Sequence, residues 1–309
     1  MSISDRISKI NQVRKQLVVL PISKLQVEMK PATTNEDNVR KLMDSDPYGY
    51  TEHLLKLIWQ CIDFSNAKDF SKSVDGVSIN IPKGKTKPDF KDFVNNIAFY
   101  DREMLFWALA KSTYGEKLYV DTTPCPNEKC KHVYPTDITC SKLMDSVEIT
   151  WDKTTPFQDF LYPAIYDDVE SGIKYTCHMK LLSLGDELTL STNVDESDAK
   201  ENFNHYGNIY TPLEQFKISV KKIEIESLTV DKNDPEYFHE VEENQSEILK
   251  AVSNFNKQVI DEIVNIYFAN VLSKYQYFFK QQRTCPKCNE QHDLNFPMFV
   301  FFFQRFRTV

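Results

Sequence analysis

Two short runs decide how this chain is built: Cys125-Pro126-Asn127-Glu128-Lys129-Cys130 and Cys285-Pro286-Lys287-Cys288. Each packs two thiols into one tight bend, the way proteins present ligands to a soft or borderline metal ion. Pro286 follows the first cysteine of its run and helps to set the turn, as Pro126 does in the other. The second run has the usual two residues between its cysteines. The first has four, the upper end of metal-ligand spacing. Between the runs lie 154 residues. One ion held by Cys125, Cys130, Cys285 and Cys288 therefore ties the middle of the chain to its C-terminal end. Residues 131–284 become an excursion from a single split zinc ribbon.

Four thiolates complete the tetrahedron of Zn2+ and leave no place for a water, so the expected site is structural rather than catalytic. Such an ion contributes on the order of 10 kcal/mol to folding. His132 and His292 follow the two runs and are the only nearby alternatives to a cysteine ligand. The remaining cysteines, Cys61, Cys140 and Cys177, carry no pattern and read as small buried hydrophobes. An odd total of seven argues against a disulfide framework.

Composition removes several function classes. Seven glycines in 309 residues leave no Gly-rich phosphate loop, and no nucleotide-binding pattern is present. A net charge of −8 opposes broad binding to nucleic acid or anionic membrane. The local basic runs, Lys83, Lys85 and Lys87, then Lys129 and Lys131, are the exceptions. No window approaches the apolar length of a membrane span, and the start of the chain has no signal-peptide pattern. No His-Glu-x-x-His occurs, so a zinc hydrolase has no support and no enzyme is expected.

The hydrophobic pattern predicts an α+β fold, with helices and short antiparallel strands around the ribbon. Residues 1–24 read as an N-terminal arm, with Ile7, Ile10, Val13, Leu17 and Leu20 at helical spacing. Residues 25–120 form a helical N-terminal half. Within it are a strand at 25–29, a helix entering at Thr34, a helix over 51–64, a short strand at 77–81 and a helix over 101–114 stopped by Gly115. Residues 121–140 and 283–303 make the ribbon. Residues 141–230 form a β-rich middle, with alternation at 147–151 and 217–225 and an exposed acidic loop at 195–204. Residues 231–282 hold C-terminal helices. Asp234-Pro235 starts a short one, and 245–277 is the longest periodic segment. The chain ends in an aromatic run, Phe299 to Phe303, that must be covered by its own domain or by a partner.

Several of these stretches resemble one family. Tyr100-Asp101-Arg102-Glu103-Met104-Leu105, then Thr113-Tyr114-Gly115, then a Cys-Pro knuckle, resembles the baseplate hub protein family of T-even-type contractile phages. Cys285-Pro286-Lys287-Cys288 with its aromatic ending, Val27-Glu28-Met29-Lys30-Pro31-Ala32-Thr33-Thr34, and a mid-chain turn at Leu184-Gly185-Asp186-Glu187-Leu188 are similar to the same family. The four-residue gap of the first knuckle and the length of the chain depart from its pattern. The resemblance implies a structural and assembly protein of the phage tail baseplate, assembled in the host cytoplasm and placed in the virion. Its partners would be other hub proteins, the central spike and the tape-measure protein, with no nucleic acid and no membrane. The alternative is a zinc-ribbon nucleic-acid-binding protein.

Overall fold

A computed structural model describes residues 6, 14–23, 25–33, 51–63, 87–145, 157–191, 212–271, 273 and 280–295. It is a mixture of helices and antiparallel sheets, an α+β protein as expected. The chain divides into two compact units. One comprises Met1–Phe93, Tyr100–Ile149 and Tyr277–Val309, and the other Val94–Phe99 and Thr150–Gln276. The second unit is thus, in sequence, an insertion within the first, and all four paired cysteines belong to the first.

The first unit opens with β1 (Gln16–Leu20) and β2 (Leu25–Met29), an antiparallel pair joined at Leu20 and Leu25. Alternation turns Val18, Leu20, Leu25, Val27 and Met29 inward. Leu17 and Leu20, assigned helical spacing in the arm, lie on this strand instead, where the two-residue period buries Leu20 and leaves Leu17 exposed. Helix α1 (Thr51–Cys61) follows, and the expected helix stops there. The next two residues form β3 (Ile62–Asp63), which pairs with β2. The short helix α2 (Phe90–Asn95) carries the chain across the boundary between the units.

Helix α3 (Arg102–Tyr114) is the centre of the first unit. Its residues 104–110 are all buried, so it is apolar on every side and packs against β1, β2 and α1. Asp101, just before it, is fully buried and accepts hydrogen bonds from the backbone amides of Ile22 and Ser23. Asp101 thus brackets the β1–β2 turn onto the helix. Gly115 ends α3 at φ 101°, with its amide on the carbonyl of Lys111.

From Gly115 the chain enters β4 (Lys117–Pro124), reverses, and returns as β5 (Val133–Thr139), which leads into α4 (Cys140–Asp145). The second unit is built on a four-stranded antiparallel meander that begins with β6 (Leu161–Asp168) and β7 (Ile173–Lys180). Helix α5 (Leu184–Ser191) begins at the Leu184-Gly185-Asp186 stretch, which was expected to be a turn. Ser183 and Asp186 exchange hydrogen bonds in a capping box, so the stretch is a helix start.

Helix α6 (Pro212–Ser219) leads directly into β8 (Val220–Ser227), so residues 217–219, read as alternating strand, are helical. Asp234-Pro235 starts no helix. Asp234 accepts the amides of Glu236 and, through its carbonyl, Tyr237, which closes a turn. The chain then forms β9 (His239–Glu242) along β8. Through Asn270 the long periodic segment is two helices, α7 (Gln245–Asn254) and α8 (Lys257–Asn270), capped by Asn244 and Asn256. The meander buries Ala164, Cys177, Met179 and Ile223, and Tyr267 of α8 donates to the carbonyl of Lys180.

The chain re-enters the first unit and forms a last hairpin, β10 (Lys280–Thr284) and β11 (Gln291–Asn295). The readings at Ile7, Ile10 and Val13, at Thr34, 77–81, 147–151, 195–204 and 274–277, and the aromatic run 299–303 lie outside the described residues.

Candidate metal centre

The two cysteine runs are the tips of two hairpins. Register pairs Pro124 with Val133 and Thr284 with Gln291, so the bends begin at the next residue in each case. The closure is equivalent in both: the Cys125 amide donates to the His132 carbonyl, and the Cys285 amide to the Glu290 carbonyl. The residue after the second cysteine takes the left-handed conformation in both, Lys131 at φ 43° and Asn289 at φ 57°. These are the only such non-glycine residues among those described. Asparagine tolerates this region well and lysine less so.

The unequal spacing is absorbed within the first bend. The amides of Cys130 and Lys131 both donate to the Asn127 carbonyl, and the Lys129 amide donates to the Asn127 side chain. This extra turn takes up the two additional residues and brings Cys130 to the place that Cys288 holds in the shorter run.

The four sulfurs converge. Cys125 Sγ lies 3.7 Å from Cys288 Sγ, Cys130 Sγ lies 3.8 Å from Cys285 Sγ, and all four are within 4.8 Å of one another. An ion with metal–sulfur bonds of about 2.3 Å sets the sulfurs of a regular tetrahedron about 3.8 Å apart. The donor set therefore fits one tetrahedral ion. His132 and His292 are not members of the cluster. The His132 ring stacks on Tyr134 at 5.8 Å.

The electrostatics also call for a cation. Burial pushes the Cys285 thiol up, but the amides of Cys288 and Lys287 point at its sulfur and bring it down to about 7. Cys288 accepts from the Glu290 amide, which lowers it. Burial and the thiols of Cys285, Cys125 and Cys130 outweigh that and carry it up to about 12. Burial likewise raises Cys125. A positive charge in the middle of the cluster would favour the thiolates of Cys125 and Cys288, the two that are pushed up.

Around the cluster lie residues that no spacing rule singled out. The Asn127 side-chain amide donates to the Glu290 carboxylate and joins the two tips. Tyr134 packs directly on the cysteines. The Arg283 guanidinium lies 4.5 Å over the Tyr134 ring, and its Nε donates to His292 Nε2 at 3.2 Å. These contacts arise from hairpin register, Arg283 opposite His292 and Tyr134 opposite Thr123, so no local motif announces them.

The unpatterned cysteines are buried as expected, and burial pushes Cys140 and Cys177 up to about 12. Cys177 and His178 face opposite sides of β7: Cys177 is in the core, and His178 is bonded to Glu224 at 2.9 Å. Of the basic residues, Lys83 and Lys85 lie outside the described residues. Lys87 sits 3.7 Å over the Trp59 ring, and Lys129 and Lys131 are exposed. No described helix is long and apolar enough to cross a membrane. No family model, curated protein or solved structure matches the chain.

Proposed function

We propose that the four cysteines hold one Zn2+ in a split zinc ribbon. On this reading the chain is a structural and assembly protein of a contractile phage tail baseplate hub. The observation that supports a structural role is the donor set itself. Four converging sulfurs at two hairpin tips saturate a tetrahedral ion and leave no position for substrate or water. The ion then holds the two hairpins together and supplies no chemistry. The placement in a baseplate rests on the resemblance in sequence. Two of its motifs have structural roles here, Asp101 bracketing the first strand turn and Gly185-Asp186 starting α5. The partners are the other hub proteins, the central spike and the tape-measure protein, met through protein surfaces in the virion.

Two measurements test this. Elemental analysis of the purified chain should give one zinc per chain, and a metal-free or iron-loaded protein overturns the zinc assignment. Affinity-tagged chain recovered from infected cells should bring down hub, spike or tape-measure proteins. Recovery free of them overturns the baseplate assignment and leaves the metal site standing. The rival, a zinc-ribbon nucleic-acid binder, keeps Lys129 and Lys131 but loses Lys87 to its contact with Trp59. Appreciable DNA or RNA affinity at moderate salt would favour it.

A further inference from the structure

A dication in four thiolates leaves the site with two net negative charges, and the first-unit hairpins must compensate them. Arg283 is placed to do so. It is 9% exposed, precedes Cys285 by two residues, and one of its terminal nitrogens reaches the carbonyl of Pro124, the residue before Cys125. It therefore spans the approach strands of both bends. Burial pushes its pKa down, and Tyr134, Cys125 and Cys285 act against that. Its guanidinium is fixed over Tyr134, which packs on the cysteines, and by His292. Arg283 Nε donates to His292 Nε2. Tyr134 Oη lies 3.2 Å from the same nitrogen and locks the imidazole plane.

We infer that Arg283 is the built-in counter-cation of the metal centre, a positioning and charge-compensating residue held in place by Tyr134 and His292. The inference rests on the metal reading above. It has a consequence that packing alone does not share. With the ion bound, Arg283 faces a doubly negative cluster and stabilises it. A role in packing alone would support the metal-free and the metal-bound fold alike. Arg283 should therefore strengthen metal binding beyond whatever it contributes to the metal-free fold.

The test uses the full chain as wild type, Arg283→Met, Arg283→Gln and Arg283→Lys. Zinc affinity is read by competition with a chromophoric chelator, and thermal melts are recorded with and without metal. Loss of an outer-shell partner typically weakens metal binding about 10–100-fold. That range is expected for the Met and Gln variants, with Lys between them and wild type, and the metal-bound melts should separate more widely than the metal-free ones. Co2+ loaded into each variant should keep its tetrahedral tetrathiolate spectrum, since no ligand is lost. If the Met variant does not fold, the Gln–Lys comparison decides. The inference is overturned if Gln binds zinc as tightly as Lys or wild type, or if the metal-free and metal-bound melts fall by equal amounts. Absence of zinc from the wild type would instead sink the metal reading itself.

Discussion

Cys288 is the cleanest point at which to break the centre. Its side chain is exposed, so Cys288→Ser removes a ligand without opening a cavity. Its nearest cross-hairpin partner, Cys125, lies 163 residues away in sequence, so the ion closes a very long loop. In the loop-closure picture, bringing the ends of a span of that length together costs about 5 kcal/mol at 25 °C, which is the part of the ion's binding energy that the variant should lose. For a chain of this size each kcal/mol moves the melt by about 2–4 °C, so the variant should melt about 10–20 °C below wild type. Differential scanning calorimetry of four samples is the assay: wild type and Cys288→Ser, each with zinc and with excess chelator. Chelation should bring the wild type down to the variant and leave the variant where it was. If zinc is present in the wild type and the variant still melts with it, the ion is not a staple and the topological argument fails.

Three further outcomes follow from the geometry. A Cβ on Gly185 would stand 2.1 Å from Asn95 Oδ1, so Gly185→Ala should lower stability in the wild type. In an Asn95→Ala background the same change should raise it by up to about 1 kcal/mol through helix propensity, as read by urea unfolding. Asp101→Ala strands the buried amides of Ile22 and Ser23 and should cost about 1–3 kcal/mol by the same measurement; an unchanged midpoint would refute the bracket. Glu224 is held down to about 2 by Lys222, with His178 and His239 adding to it against the opposing effect of burial. Its folded value lies below the unfolded one, so its contribution is full above about 4.5 and fades as pH falls towards 2. In chelator-treated protein, Glu224→Gln should therefore be less stable than wild type at pH 7 and equal to it at pH 2.

What could be read in the sequence was local. Cysteine pairs, a buried helix ended by Gly115 and the β2 strand are set by neighbours within a few residues, and they stand as read. Short segments with two admissible periods went the wrong way. Residues 217–219 alternate, but Phe216 is buried and Ser219 bonds back to the Gln215 carbonyl, four residues earlier, so the helical period wins until Val220. Asp234-Pro235 has the chemistry of a helix start and of a turn alike, and the ladder that His239–Glu242 gains on β8 favours the turn. The periodicity of 245–277 does not show the break at Phe255. There the Asn256 side chain caps the Val259 amide, and the Phe255 ring swings edge-on to Tyr175 at 5.3 Å.

The metal cluster joins these two kinds of information. Its ligands are local in sequence, but its completion is global, because no single hairpin can supply four sulfurs. The first unit is discontinuous, interrupted by the whole of Thr150–Gln276. Its last segment must find the first hairpin again after that insertion. Among the described residues, hydrogen bonds between Asn127 and Glu290, between Tyr134 and His292, and from Arg283 to the Pro124 carbonyl link the two hairpins. On the metal reading proposed above, a closed tetrathiolate site adds its binding free energy to these contacts at one point. It also explains why two bends of different length converge on the same backbone closure and the same left-handed residue after the second cysteine. On that reading the ion dictates the position of the sulfurs, and each hairpin bends as its own spacing requires to deliver them.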